Sequence, residues 1–146
     1  MTTASPQKRY VVGFWFSASG ADVALIHKNR PDWQKGRRNG IGGGIEEGET
    51  PKQAMEREAV EEAGDAADGV EWEEIGTLED EGAHVTIFRA FSDRVYAVRS
   101  QTDEPVTVHP VARVLELHTV NNIRWLVPLA QDRNSGIEFP LHFRFA

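Results

Sequence analysis

β-branched and aromatic residues cluster near the start of the chain. YVVGFWF (residues 10–16) and DVALIHK (22–28) are β-branched and aromatic runs separated by SASGA, the pattern of two strands joined as a hairpin. A polar stretch holding proline and glycine, NRPDWQKGRRNG, leads into IGGGIE, which reads as a glycine-rich turn. The period then changes. Met55, Ala59 and Ala63 recur every four residues and line one stripe of a helix over about 50–63. Thr50 is placed to cap that helix, Pro51 suits its first turn, and Gly64 suits the position just past its end.

Further along, VEWEEIGTLED (70–80), HVTIFRAF (84–91) and RVYAVRS (94–100) read as strands with loops between them. PVARVLEL (110–117) suggests a short helix, and NNIRWLVPLAQD (121–132) a second main helix with asparagine as a candidate cap. EFPLHFRFA (138–146) alternates as a strand. Strands on both sides of a central helix, followed by a late helix, predict a mixed sheet layered with helices. No repeat or long linker divides the sequence, so one domain over residues 1–146 is expected.

Composition narrows the classes. A hydrophobic content of 40 % over 146 residues is enough for a continuous core. The chain has no cysteine, which excludes disulfides and thiolate metal sites and permits a reducing compartment. MTTASPQKRY has no apolar run of signal-peptide length, and nowhere do about 18 uncharged apolar residues follow one another, so a cytoplasmic protein without a membrane partner is expected. A net charge of −7 argues against a nucleic acid polymer as partner, since backbone binding needs lysine and arginine to displace counterions. A small anionic substrate needs only local cations, and Lys28, Arg30, Lys35, Arg37 and Arg38 cluster just ahead of the glycines. The five histidines show no metal-ligand spacing.

Seven glutamates crowd between Glu46 and Glu62. Like charges one turn apart weaken a helix. On a helix, Glu58, Glu61 and Glu62 stand at spacings of three and four, so their carboxylates project from one face. A hard divalent cation such as Mg²⁺ or Mn²⁺ takes oxygen ligands and turns that repulsion into binding. Arg57 can hold Glu49 or a neighbouring carboxylate through paired hydrogen bonds. The glycines ahead of the helix let backbone approach a ligand and leave carbonyls free to coordinate.

The spacing of Gly43, Glu49, Arg57, Glu58, Ala59, Glu61, Glu62 and Gly64 resembles the signature of the Nudix hydrolases, with one departure: Asp65 stands where the family has an apolar residue. The resemblance implies an α/β/α sandwich around a mixed β-sheet. It also implies metal-assisted attack of water on a nucleoside diphosphate linked to a further group, with Mg²⁺ (or Mn²⁺) held by Glu58, Glu61, Glu62 and a backbone carbonyl near Gly42. Members differ in the base that takes the proton from water. Glu58 or Glu61 is one option, and Glu104 in QTDEPV, from a distant loop, is the other.

Two flanks speak to the substrate. GRRNGIGGGIEEGET (36–50) and NNIRWLVPLAQ (121–131) resemble the corresponding runs of the oxidised-purine nucleoside triphosphatases, the 8-oxo-dGTPase branch. That likeness implies contact of Asn39 with base or sugar, and places Asn121 and Asn122 where those enzymes carry an acidic pair reading the base edge. Two asparagines mix donors and acceptors where two aspartates would only accept, and Thr119 stands where a stacking tryptophan is expected, so base preference has shifted. Helix capping is the alternative role for both asparagines. Trp33 and Trp125, with Phe14 or Phe16 of the first strand, are candidate walls of a nucleotide pocket, and Lys28 is a candidate cation for its phosphates.

The function expected is cleavage of a nucleoside triphosphate, standard or oxidised, to monophosphate and pyrophosphate. ADP-ribose or a nucleotide sugar is the alternative. Relatives of that kind carry a proline soon after the signature, whereas the next proline after Gly64 is Pro105. A nucleotide-binding domain without turnover is the third reading, and the three glutamates speak against it. Monomer and homodimer both remain open.

Overall fold

A computed structural model describes residues 7–145; the first six residues of the amino-terminal stretch, and Ala146 of the last expected strand, lie outside the described residues. The elements run β1 (Lys8–Phe16), β2 (Asp22–His27), β3 (Arg38–Asn39), β4 (Ile41–Gly44), α1 (Pro51–Ala63), β5 (Glu73–Glu79), β6 (Ala83–Phe91), β7 (Val106–Pro110), α2 (Ile123–Gln131) and β8 (Leu141–Arg144).

β1 organises the sheet because its two faces are both apolar. Val11 and Trp15 pack toward α1 with Met55, Ala59 and Ala63, and Phe14 and Phe16 pack toward α2 with Ile123, Leu126 and Val127. A strand buried on both faces sits in the middle of a sheet. β1 runs parallel to β6 on one edge; on the other it pairs antiparallel with β4 along its first half and with β2 at its end. The strand order is β3-β2-β1-β6-β5-β8, with β7 on the outer edge of β2. The result is the expected mixed sheet between two helical layers.

α1 forms where the period placed it. Thr50 Oγ1 accepts from the Gln53 amide at 3.1 Å and Gln53 Oε1 accepts from the Thr50 amide at 2.9 Å, a reciprocal cap. Gly64 closes the helix at φ +86°, a conformation that side chains other than glycine rarely adopt.

The structure differs from the sequence pattern in places. RVYAVRS is not a strand: Ser92 Oγ accepts from the Arg94 amide, and residues Asp93–Ala97 turn as a 3₁₀ helix that buries Val95. IGGGIE is no turn: Ile41–Gly44 form strand β4. Val106–Pro110, which the sequence pattern assigns to no element, form strand β7. Phe14 and Phe16 are fully buried in the core and line no pocket. Asn122 stands at the start of α2 but makes no side-chain capping bond. The short helix after β7 is present as a 3₁₀ turn, Val111–Glu116. No helix among the described residues is long and apolar enough to cross a membrane.

Candidate active site

The site is assembled by β4 and α1. Ile45 N donates to Arg9 O, so alternate residues of β4 bond to β1, and Gly42 and Gly44 turn their peptide groups the other way, toward α1. There the Gly42 amide donates to Glu62 Oε1 at 2.9 Å, and the Gly44 carbonyl accepts from Arg57 Nη2 at 3.0 Å. The Gly42 carbonyl shares the orientation of its amide and is free of the ladder. Glycine is required here by space. A Cβ on Gly42 would come within 2.0 Å of the Val11 carbonyl, and one on Gly43 within 2.6 Å of Glu58 Oε1.

Arg57 is the hub. Its Nε and Nη2 form a two-pronged bond to Glu49 at 2.7 and 2.9 Å, while Nη1 donates to Glu58 at 2.9 Å and to Glu61 at 3.2 Å. Glu49 in turn accepts from the Glu46 amide at 3.0 Å. This fork fixes the loop before α1 to the second turn of the helix. The three signature glutamates do not share one direction. Glu58 and Glu62, one turn apart, face β4, whereas Glu61 is 55 % exposed and sits one step round beside Arg57.

Burial gives these carboxylates different basicities. The Glu62 carboxyl, buried at 6 % exposure, is pushed from 4.5 to about 8, first by burial and then by the charge of Glu58, against the pull of the Gly42 amide. Burial raises Glu58 as well, with Arg57 opposing. Glu49 is held down at about 2 by Arg57. Glu58, Glu61, Glu62 and the Gly42 carbonyl are a hard oxygen donor set that suits a divalent cation, and the like charge of Glu58 beside buried Glu62 is what such a cation relieves. As they stand, no three acidic or histidine side chains among the described residues converge at metal-holding distance.

Ahead of β7, Glu104 is buried and fully engaged. It accepts from Lys28 Nζ at 3.0 Å and from the Asn29 and Arg30 amides at 2.6 and 3.2 Å. Burial pushes its carboxyl up, but those donors outweigh it and leave Glu104 below the usual range. Lys28 is therefore paired, and Arg30 forks onto Asp103. The charge of Lys28 lowers the Glu62 carboxyl slightly and that of Glu104 raises it, both less than burial does.

Asn39 lies at the end of β3, half-buried, bonded to Gln34 Oε1 at 3.1 Å and accepting from the Gly40 amide. A bridge between Arg38 and Thr119 lays the 118–120 segment along β3, which brings Asn121 and Asn122 to the same end of the sheet as Asn39. Trp33 is 61 % exposed on a 3₁₀ turn just before Gln34. Trp125 packs edge-on against Phe143 on the α2 side, away from β3. The sequence pattern missed Gln34, Asn29 and the Gly44 carbonyl as supports, because a loop amide or backbone group carries no motif. Two cavities of about 410 and 420 Å³ open beside β5, β6 and β8, lined by Glu79, His84 and His142 or by Asp80, Glu81 and Phe145, and share no residue with the signature.

Comparison with known proteins agrees with this geometry. The NUDIX domain family matches residues 7–135. No curated protein matches the chain. Among solved structures, the chain is similar to the mutator MutT protein of Bacillus halodurans (18 % identity, TM-score 0.65, 94 % of this chain and 90 % of that one). It is also similar to the dihydroneopterin triphosphate pyrophosphohydrolase of E. coli (16 %, 0.68, 86 % and 97 %). A third match is the NUDIX domain of Shewanella oneidensis NrtR complexed with ADP ribose (18 %, 0.68, 88 % and 89 %). With the family matched over most of its length and the signature glutamates set on α1 against the glycines of β4, the chain belongs to the NUDIX domain family.

Proposed function

We propose that the protein cleaves nucleoside triphosphates, standard or oxidised, to the monophosphate and pyrophosphate, with Mg²⁺ as its ion and Mn²⁺ as a substitute. The observation that carries this reading is the pairing of two built sides: carboxylates fixed by Arg57 and the Gly42 amide on one, Lys28 with Asn39, Asn121 and Asn122 on the other. Nudix hydrolases use divalent metal ions, and Glu58, Glu61, Glu62 and the Gly42 carbonyl would hold one here. Such an ion, when bound, neutralises phosphate charge and lowers the pKa of a bound water.

The chain's own residues do the rest. Arg57 holds Glu49 and Glu58 in place. Glu58 or Glu61 accepts the proton of the attacking water. Glu104, tied by three donors to a loop and with its basicity lowered, keeps Lys28 aimed at the phosphates rather than taking the proton itself. Asn39, Asn121 and Asn122 meet the nucleoside, with Trp33 at its edge.

The test is a panel of standard and oxidised triphosphates with Mg²⁺, scored for product. Pyrophosphate with monophosphate is expected. No pyrophosphate from any member overturns the reading, and AMP from ADP-ribose in a parallel arm moves the assignment to ADP-ribose or a nucleotide sugar, the first of which the NrtR domain binds in its complex.

A further inference from the structure

Outside the signature, one charged group stands out. Arg38 is half-buried, its Nε is wholly buried, and that atom has no hydrogen-bond acceptor. No carboxylate of the described residues lies within ion-pair distance of its guanidinium. The chain has 23 acidic residues against 16 lysines and arginines, so a counter-ion was not scarce. Taking a charge partly out of water without a partner is costly. Among the described residues, the other buried side-chain atoms without a partner, the indole nitrogens of Trp15 and Trp72, are uncharged and belong to an apolar edge-on pair in the core.

The backbone leaves Arg38 no freedom to escape. Its amide donates to His118 O and its carbonyl accepts from Val120 N, both at 2.9 Å, while β3 pairs with β2 on its other side. Register gives the face. Arg38 lies opposite His27, and Thr107 and His109 of β7 lie opposite Leu25 and Val23, residues that pack toward α2. Residues directly opposite in an antiparallel pair share a face, so Arg38, Thr107 and His109 all stand on the α2 side of this end of the sheet. His109 Nε2 is 2.6 Å from Thr107 Oγ1, and burial, then the charge of Arg38, lower the basicity of that imidazole.

We propose that Arg38, with His109 and Thr107, forms a second anion site that takes a phosphate group. A guanidinium offers several N–H donors in a fork that fits phosphate oxygens, and the hydroxyl and imidazole beside it complete a neutral-to-positive lining. The site does not depend on the hydrolase reading: it lies on the opposite face of the sheet from α1. Its phosphate comes either free from solution or on the sugar of a nucleotide; only the second source rests on the proposed hydrolase reading.

Isotope-labelled protein titrated with inorganic phosphate, against chloride at equal ionic strength, tests it by NMR of the Arg38 Nε–H and the His109 ring. Saturable millimolar shifts at both groups are expected, weakened at least tenfold in Arg38→Gln. Shifts no larger than those with chloride, or unchanged saturation in Arg38→Gln, overturn the site. If Arg38→Gln does not fold by circular dichroism, Arg38→Lys, which keeps the charge and loses the fork, supplies the comparison and is expected to weaken binding as well; unaltered binding there overturns the role of the fork and with it the site. A second arm compares adenosine 2′,5′-bisphosphate with AMP. Tighter binding of the bisphosphate that disappears in Arg38→Gln places the phosphate on a nucleotide, and equal binding leaves the site to free phosphate.

Discussion

Arg57 makes five hydrogen bonds that lock the loop before α1, two signature glutamates and a β4 carbonyl into one unit, while at the β3 end Asn39 is held by a single amide bond to Gln34 and its own neighbour's N–H. Asn121 and Trp33 are exposed there. The catalytic end is thus pre-organised before any ligand arrives, and the recognition end is left open. Charge placement at a reacting phosphorus has to be fixed in advance, because reorganising it during reaction costs rate. A base edge can be met by side chains that settle on binding, at a cost in affinity alone.

Mutations should therefore act unequally at the two ends. Glu62→Gln keeps an oxygen for the Gly42 amide and removes one charge. A fall in kcat of about 10³-fold is expected, in the range seen when one preorganised charge-stabilising group is lost, with near-native circular dichroism. Equal turnover by the two proteins would remove the signature glutamates from the mechanism. The corresponding change at the open end, Asn121→Ala, is expected to alter kcat/KM by about tenfold or less, the effect of one lost neutral hydrogen bond.

Stability should show the same contrast. Arg57→Ala leaves Glu49 without its fork and Glu58 half-buried beside Glu62 with no cation. A loss of about 2–3 kcal/mol is expected in urea unfolding, the scale of charge-assisted bonds in a partly buried site. Trp33→Ala touches nothing that holds the fold and is expected to stay within about 0.5 kcal/mol. A large destabilisation by Trp33→Ala would show that the loop is part of the scaffold, which collapses the distinction drawn above.

How far each end is legible in the sequence follows from the same difference. Residues 43–64 could be read because one helix fixes the spacing of Arg57, Glu58, Glu61 and Glu62, and Thr50 and Gly64 mark its ends with residue types that caps demand. Periodicity told less about direction: it put the three glutamates on one face, whereas a buried stripe of Met55, Ala59 and Ala63 draws Glu62 inward and leaves Glu61 outside. The glycines of β4 read as a turn because glycine is the usual turn residue; they form a strand because the Val11 carbonyl leaves no room for a Cβ, a constraint from a residue 31 positions away. The partnership of Lys28 with Glu104 spans 76 positions and has no local signal at all.

Titration offers a finer probe of the closed end. The Glu62 carboxyl moves from 4.5 in an unfolded chain to about 8 in the fold, so the folded state holds a proton that the unfolded chain releases between those values. Stability of the metal-free protein is then lost as pH rises from about 5 to 8 and is flat above, with Glu58 acting in the same direction. Glu49 works the opposite way: its depressed value adds stability that is present above about 4.5 and disappears toward pH 2. Unfolding midpoints from pH 5 to 8 should fall less steeply in Glu62→Gln than in wild type, and adding Mg²⁺ at pH 8 should stabilise wild type more. Parallel curves for the two proteins would mean that Glu62 is solvated rather than buried.

A further expected effect lies between the two ends, at Glu104. Its carboxylate spends its acceptors on Lys28 and the Asn29 and Arg30 amides, so Glu104→Gln keeps the shape of that loop and loses the charge that aims the lysine. An increase in KM of roughly tenfold, with kcat within about threefold, separates a positioning role from a general base, because loss of uniform binding raises KM alone whereas loss of the base lowers kcat. Should kcat fall with KM unchanged, Glu104 takes the proton after all, and the low basicity imposed by its three donors must be relieved when a substrate phosphate draws Lys28 away.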